Sequence, residues 1–289
     1  MSKQLRSDLV LVLVTIIWGS TFIIVKNAIE ILPVYNFLFI RFSIAFFLLA
    51  IIFYKKLLNI DKRTLIISSA IGTMLFAGYA FQTMGLMYTS ASKSGFITGF
   101  SVVLVPIFEA FFLKSKPSRA AVTGIVLAVI GLFLLTTNVN FSINFGDFLT
   151  LLCAFAFAMH IILIAKFASS VDTFVIATLQ IGVVAILSGI ASFTFETPVI
   201  PTNFSVWGAI IITGVFATAF AYVAQNTMQA YTTATHTALI FSLEPVFSAV
   251  AAFLIAGEVM SLKAITGGIF MLLGIILAEI PQGKISPSK

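Results

Sequence analysis

The sequence contains ten apolar segments of about 20 residues, separated by short polar connections. The hydrocarbon core of a membrane is about 30 Å thick, and a helix needs roughly 20 apolar residues to cross it. Helices satisfy their own backbone hydrogen bonds there, so each segment predicts a transmembrane helix. The predicted spans are 9–27, 34–54, 64–86, 92–113, 119–137, 146–167, 173–195, 205–228, 235–256 and 262–280. We therefore expect an all-α integral membrane protein with ten transmembrane helices.

The composition excludes a soluble domain. Of the 289 residues, 60% are hydrophobic and 9% are charged, whereas about a quarter of the residues in soluble domains are charged. The net charge is +6, but the basic residues are scattered singly through the loops, so no nucleic-acid partner is expected. The single cysteine, Cys153, excludes an internal disulfide. The chain has two histidines and no metal-binding motif, so we expect no metal, no cofactor and a lipid bilayer as the surroundings.

One stretch of sequence occurs twice, at 79–94 and at 222–237, with an offset of 143 residues. The matching positions are Tyr79 with Tyr222, Gln82 with Gln225, Gly124 with Gly267, and Gly131 with Gly274. A period of this length indicates a duplicated half. We expect two five-helix repeats, 1–137 and 146–281, followed by a short cytoplasmic tail at 282–289. Because five is odd, the second repeat enters the membrane from the opposite side, which makes the repeats inverted. Transporters often have this architecture, with the substrate site where the halves meet.

The basic residues predict the orientation of the chain. If the N-terminus lies in the cytoplasm, twelve of the 16 Lys and Arg residues fall in cytoplasmic segments. They are Lys3, Arg6, Lys55, Lys56, Lys62, Arg63, Lys114, Lys116, Arg119, Lys166, Lys284 and Lys289. This asymmetry is the positive-inside pattern. Both termini are therefore expected in the cytoplasm.

Short motifs follow one another in a fixed order through both halves. They are WGSTF at 18–22 with Lys26, RF at 41–42, FITGF at 96–100, VVLVP at 102–106, SLEP at 242–245, GE at 257–258, and the glycines at 267 and 274. In this order and spacing, the chain resembles the drug/metabolite transporter superfamily, in its ten-span branch built from two EamA domains. The resemblance covers nearly the whole chain. One departure is Glu258, which has no acidic counterpart in the first half.

The resemblance implies transport of small metabolites, such as amino acids or related compounds, across the cytoplasmic membrane, more often by export than by import. We expect a secondary transporter that works by alternating access. No phosphate-cradling Gly-rich loop with Lys is present, which leaves protons as the expected source of coupling. The many aromatic residues keep drug-like or amphipathic cargo open as an alternative.

Two other classes of protein are the alternatives to a transporter: an intramembrane enzyme, and a receptor or scaffold. An intramembrane enzyme needs a nucleophile with a base, or a metal set, and the chain has neither a GxSxG nor an HExxH motif. The protein is therefore not expected to be an enzyme. A receptor or scaffold fits the inverted duplication poorly. Small residues at i, i+4 and i+7 in the fifth span indicate close helix pairing, either within one molecule or in a homodimer.

Polar side chains repeat along one face of several spans, and we predict that they bind substrate. In the eighth span, Thr218, Tyr222, Gln225 and Gln229 recur at i, i+4, i+7 and i+11, and of these we predict that Tyr222, Gln225 and Gln229 bind substrate. The other predicted substrate-binding residues are Trp18, Tyr79, Gln82, Thr98 and His236. A polar stripe that faced hydrocarbon would be costly, so it faces either a wet cavity or another helix. The alternative to a cavity is hydrogen bonding between helices.

Glu244 and Glu109 are the predicted sites of proton coupling. Glu244 comes directly before Pro245 in an apolar span, where an ionised carboxylate is either paired or protonated. A fixed ion pair, or a bond to backbone opened by the proline, is the alternative role of Glu244. For Glu109, neutralisation by Lys26 or Arg41 is the alternative. Two further expectations concern backbone and packing: Pro106 and Pro245 break their helices, and His160 packs in the core.

Overall fold

The computed structural model describes residues 3–89, 91–136, 144–256 and 261–279, and every regular element within them is helical. The α-helices are α1 Lys3–Ile29, α2 Val34–Ile52, α3 Tyr54–Leu57, α4 Lys62–Leu86, α5 Ala91–Gly99, α6 Ser101–Phe108, α7 Arg119–Thr136, α8 Phe145–Phe167, α9 Thr173–Phe195, α10 Phe204–Gly214, α11 Ala221–Gln229, α12 Ala234–Phe241, α13 Glu244–Ala256 and α14 Leu262–Glu279. Two π-helical turns complete the set, π1 at Glu109–Leu113 and π2 at Val215–Phe220.

The membrane-spanning character is confirmed. Eight helical stretches are long and apolar enough to cross a membrane. Two shorter apolar helices, Arg119–Leu134 and Ile265–Ala278, lie where the fifth and tenth spans were predicted. An all-helical, multi-pass membrane protein is therefore the correct class, while the count of ten crossings and their inversion stay predictions. The predicted tail at 282–289 and the motif residue Glu258 lie outside the described residues.

Three of the predicted spans are not continuous α-helices. The eighth contains π2, the ninth is interrupted between α12 and α13, and the fourth is interrupted at Phe100 and ends in π1. Pro245 occupies the first turn of α13, where proline is tolerated. The predicted break at Pro106 is wrong, because this proline lies inside α6. The wider turn π1 begins three residues later, and such widening relieves the lost hydrogen bonding that a proline causes.

Short polar residues set the helix starts. Each cap below accepts a hydrogen bond from a backbone N–H of the first turn, which satisfies one of the orphan donors there. The caps are Asp61 for α4, Asn144 for α8, Asp172 for α9, Asn203 for α10 and Thr233 for α12. At α8 the arrangement is reciprocal, since the Asn144 N–H donates to the Asp147 carboxylate at 2.8 Å. Helices can therefore reverse direction over connections of a few residues.

Glycines bring helices into close contact. A β-carbon at Gly124 or Gly131 of α7 would collide with the carbonyl oxygen of Gly274 or Gly267 of α14. The small-residue pattern that left a homodimer open is therefore used here between two helices of one chain. The outer surface is apolar: Phe111, Phe193, Phe195 and Phe204 are 71–91% exposed, as expected for side chains that face lipid.

Candidate functional site

A partly open cavity of about 830 Å³, including its mouth, lies between helices of both halves. Its described walls come from α1, α2, α4, α5 and α6 of the first half and from α8, α11, α12 and α13 of the second. Its walls combine aromatic and aliphatic side chains with a small number of polar groups, which is the usual makeup of a small-molecule site.

Seven of the ten predicted site residues line this cavity. They are Trp18, Tyr79, Gln82, Thr98, Tyr222, Gln225 and Glu244. The other three, Gln229, His236 and Glu109, are not among its described lining residues. Arg41 and His160 also line the cavity, although the sequence predicts Arg41 only as a partner for Glu109 and His160 only as a core residue.

Two tyrosines that occupy the same position of the sequence repeat meet in the cavity wall. The Tyr222 hydroxyl donates a hydrogen bond to the Tyr79 hydroxyl at 2.8 Å. Trp18 packs against Tyr222 with ring centroids 5.4 Å apart, and Phe157 packs edge-on against Tyr79 at 5.5 Å. Burial of Tyr hydroxyls requires hydrogen-bond partners, and here each supplies the other's. The pair joins α4 to α11, and aromatic rings surround it.

Two equivalent glutamines flank the tyrosines, one on α4 and one on α11. Gln82 Nε2 donates to Thr98 Oγ1 at 3.4 Å, which ties α4 to α5. Gln225 Nε2 donates to Gln229 Oε1 at 3.4 Å, and Gln229 Nε2 donates to the Ile161 carbonyl at 2.7 Å. Gln229 thus positions the Gln225 amide and is itself anchored to the backbone of α8. Within the described chain, Gln225 Oε1 is buried without a hydrogen-bond donor.

The π2 turn holds two cavity residues from other helices. A π-turn widens the helix and frees carbonyl groups from their usual partners. The Trp18 indole N–H donates to the Ala217 carbonyl at 2.8 Å, and Arg41 Nε donates to Thr218 Oγ1 at 2.8 Å. The Thr218 hydroxyl in turn donates to the Thr213 carbonyl at 2.9 Å. A break in regular helix therefore positions Trp18 of α1 and Arg41 of α2.

His160 lies in the cavity wall, whereas the sequence predicted only that it packs in the core. Its Nε2 lies 2.8 Å from Gln180 Oε1 on α9, and its ring stands edge-on to Tyr222 at 5.9 Å. Histidine in an apolar span with no acidic neighbour in sequence gives no signal of this arrangement. Only the packing of α8 against α9 and α11 brings the three side chains together.

A cluster of ionisable side chains lies at the start of α12, away from the described cavity lining. Glu109 of π1 accepts hydrogen bonds from the Thr235 N–H at 2.9 Å and from the Thr235 hydroxyl. The next residue, His236, has Nε2 3.3 Å from Asp8 Oδ1 of α1. Glu109 is therefore held by Thr235, and the expectation that Lys26 or Arg41 neutralises it is wrong. The cluster ties α1, π1 and α12 together.

Glu244 is the one carboxylate among the described residues of the cavity wall. It is the first residue of α13, and its backbone lies against α1, where a β-carbon at Gly19 would come within 2.7 Å of the Glu244 carbonyl oxygen. Close approach at Gly19 therefore fixes where this carboxylate enters the cavity. No described cation lies within ion-pair distance of Glu244.

The chain is similar to known proteins over nearly its whole length. Residues 5–137 and 144–279 match the EamA-like transporter family. An uncharacterized transporter from Archaeoglobus fulgidus is 35% identical over 279 residues, which cover 96% of this chain and 87% of that protein. The uncharacterized transporter YyaM from Bacillus subtilis is 26% identical over 296 residues, covering 96% and 94%.

A solved crystal structure shares the fold with a TM-score of 0.83 at 18% identity, covering 96% of this chain and 99% of the other. At that identity the likeness concerns the fold alone. The sequence relatives are named as transporters and not as enzymes, which agrees with the prediction made above. With both halves matched, the chain belongs to the EamA-like transporter family.

Proposed function

We propose that the protein is a secondary transporter that moves a small metabolite, an amino acid or a related compound, out across the cytoplasmic membrane by alternating access. The observation that carries the proposal is the cavity between the halves, with equivalent residues on its two sides. Tyr79 and Tyr222 are 143 residues apart, the offset of the sequence repeat, and they hydrogen-bond to each other. A residue contacts its own counterpart only beside a two-fold axis.

The pairing of α7 with α14 supports the same two-fold relation. Gly124 meets the carbonyl oxygen of Gly274, and Gly131 meets that of Gly267. The repeat makes Gly124 equivalent to Gly267 and Gly131 equivalent to Gly274, so each contact is the other with its partners exchanged. This reciprocity is characteristic of an isologous interface. With five spans per half and the positive-inside pattern, the axis lies in the membrane plane and both termini lie in the cytoplasm.

The substrate contacts proposed are Trp18, Tyr79, Gln82, Thr98, Tyr222 and Gln225. The buried Gln225 Oε1, which lacks a donor within the described chain, offers an acceptor to a polar group of the cargo. Gln229 and His236 act from outside the cavity, Gln229 by supporting Gln225. The aromatic walls favour cargo with an apolar body, and amphipathic or drug-like compounds are therefore the second candidate class.

Glu244 is proposed as the proton-coupling residue. A carboxylate in an apolar span without a described cation partner favours its protonated form, and it can release the proton when the cavity opens to water. Uptake of a proton from outside during export of the substrate would link the two movements. Protons are thus the proposed second cargo.

The cluster at the start of α12 is proposed as the cytoplasmic gate. Alternating access requires that contacts on one side close while those on the other open. Asp8, Glu109 and His236 are each no more than 7% exposed, and they join three helices at the predicted cytoplasmic ends. Opening toward the cytoplasm must separate them. Glu109 therefore acts in gating rather than in proton binding.

Uptake into inverted membrane vesicles tests the proposal. Vesicles containing the protein, a mixture of isotope-labelled metabolites outside and an acidic interior should accumulate at least one metabolite. Glu244→Gln should abolish the part of uptake that depends on the pH gradient. Glu30→Gln, a change to an exposed carboxylate, is the control and should leave uptake intact. Uptake equal to that of vesicles without the protein contradicts transport, and gradient-driven uptake by Glu244→Gln contradicts coupling through that residue.

A further inference from the structure

Arg41 is a buried cation in the wall of the cavity. It lies in the first half of α2, only 3% of its surface is exposed, and it is among the residues that line the cavity. Its guanidinium carbon lies 5.0 Å from the ring centroid of Tyr79 and 5.3 Å from that of Phe42. Both Arg41 and the Tyr79 ring beside its guanidinium line the cavity. Arginine stays protonated in proteins, so the charge is permanent.

This cation has no anionic partner among the described residues. No carboxylate within residues 3–89, 91–136, 144–256 and 261–279 lies within ion-pair distance of Arg41. The hydrogen bond from its Nε goes to the neutral hydroxyl of Thr218. Charges inside a membrane protein are rare unless paired or facing a water-filled pathway, and they mark substrate routes. Stacking on aromatic rings compensates only part of the lost hydration.

The geometry of Arg41 suits one kind of anion. The Nε–H is occupied by Thr218, and the ring of Tyr79 lies against the guanidinium. The terminal nitrogens, which also interact with the Tyr79 side chain, form a planar fork that matches the two oxygens of a carboxylate. A phosphate monoester would bring nearly two negative charges into a wall that has one arginine and, in Glu244, a carboxylate. A single carboxylate balances the arginine.

We propose that Arg41 binds the carboxylate of the transported compound. The cargo is therefore an organic monocarboxylate, and its apolar body packs against Trp18, Phe157 and Phe241. The inference rests on the proposed transport function and assigns the recognition step to a residue outside the predicted substrate set. Thr218 acts as the positioning residue, since it fixes the guanidinium against Tyr79.

Fluorescence of Trp18 provides a direct binding assay. The chain has two tryptophans, so Trp207→Phe leaves Trp18 in the cavity wall as the single reporter. The protein in lipid nanodiscs is titrated with matched pairs of a carboxylate and its primary amide: hexanoate, octanoate and 3-phenylpropionate. Each amide keeps the apolar body and removes the charge. We expect at least one carboxylate to quench or shift the emission at concentrations about 10- to 100-fold below those that its amide requires.

Variants then assign this preference to Arg41. Arg41→Lys keeps the charge and loses the planar fork, and Arg41→Gln loses both; each should reduce the preference for the carboxylate to about threefold or less while binding of the amide changes little. Thr218→Val keeps Arg41 but removes the hydroxyl that accepts the hydrogen bond from its Nε–H. It should therefore weaken carboxylate binding by an intermediate factor. Lys26→Gln removes a cation that is not among the described residues of the cavity wall, and it should leave the preference unchanged.

The outcomes separate this inference from the transport function. If amides bind as tightly as carboxylates, if no carboxylate binds, or if Arg41→Gln retains the preference, the inference is overturned. Vesicle uptake of metabolites by the same protein continues to support transport in each of those cases. If carboxylates bind with the expected preference and no solute crosses the membrane, the recognition site stands and the carrier proposal fails.

Discussion

Replacing Glu109 by glutamine tests whether the cluster at the start of α12 closes the predicted cytoplasmic end. One oxygen of Glu109 accepts two hydrogen bonds from Thr235, one from the backbone and one from the hydroxyl. Glu109 is 6% exposed, so water does not compete for these bonds. Separation of π1 from α12, which an inward-open form requires, breaks both. The closed form is therefore stabilised by them.

The size of the effect follows from the charge on the acceptor. Hydrogen bonds to a charged group contribute about 1.5–3 kcal/mol, and neutral ones about 0.5–1.5 kcal/mol. The amide in the Glu109→Gln variant would keep an oxygen acceptor and lose the charge, so two bonds weaken by about 1 kcal/mol each. This loss of free energy is partly offset, because a neutral amide is less costly to bury than a carboxylate. A net change of about 1–2 kcal/mol shifts the ratio of closed to open forms by about 5- to 30-fold.

Thiol labelling measures that ratio. Cys153→Ala removes the only cysteine, and Ser101→Cys places a reporter in the cavity wall. In inverted vesicles, a membrane-impermeant thiol reagent reaches the reporter only through the cytoplasmic side. Glu109→Gln should raise the labelling rate by about 5- to 30-fold, while Glu30→Gln should leave it unchanged. A folded Glu109→Gln protein labelled at the unaltered rate would refute the gate.

Three further predictions concern packing, the tyrosine pair and a surface ion pair. Gly131→Leu should separate α7 from α14 and lower the melting temperature in detergent by several degrees, whereas Gly208→Ala, with no atom within 4 Å of the added carbon, should not. Tyr222→Phe should cost about 1 kcal/mol in thermal unfolding and lower transport, because it leaves the opposing hydroxyl without its donor; equal stability and transport would contradict the role of the pair. Partial burial raises the pKa of Asp172, but hydrogen bonds from Lys56 and two backbone N–H groups lower it more, to below the ordinary value of 3.8. Its small stabilising contribution is thus complete above about pH 4 and lost as the pH falls through the lower folded pKa, so Asp172→Asn should flatten the acid limb of a melting-temperature profile; an unchanged limb would argue against the link.

The sequence was sufficient to predict an all-helical, multi-pass membrane protein because the signal for an apolar helix is local. Runs of apolar residues and capping residues such as Asp61 and Asn144 lie within or next to the helices they define. The interruption at Phe100 and the two π-turns were not predicted. Their backbone is shaped by contacts with other helices, such as the Trp18 indole on the Ala217 carbonyl, 199 residues away. The periodic pattern of apolar residues along one helix does not indicate such contacts with other helices.

Half of the candidate site could be predicted from the sequence, but for a different reason. Gln82 and Gln225 stand out because the repeat presents each residue twice. Arg41 and His160 are each the lone basic side chain of an apolar stretch, at 36–53 and 148–165, and their partners are 177 and 20 residues away. A cation in the middle of a predicted span is itself a signal of function, but the sequence analysis predicts Arg41 only as a partner for Glu109. For His160, the relevant signal was the presence of Gln180 on the next helix, which only packing reveals.

The most direct test of a cavity shared by two equivalent halves compares Gln82→Leu with Gln225→Leu in sealed proteoliposomes. The two residues occupy the same position of the repeat, one on each of the two helices that the tyrosine pair joins. If one cavity carries the cargo, both variants slow release of the same preloaded metabolite relative to the unmodified protein, while both remain folded by gel filtration. Release at the unmodified rate by either variant, or impaired release of different solutes by the two, would contradict a single shared route.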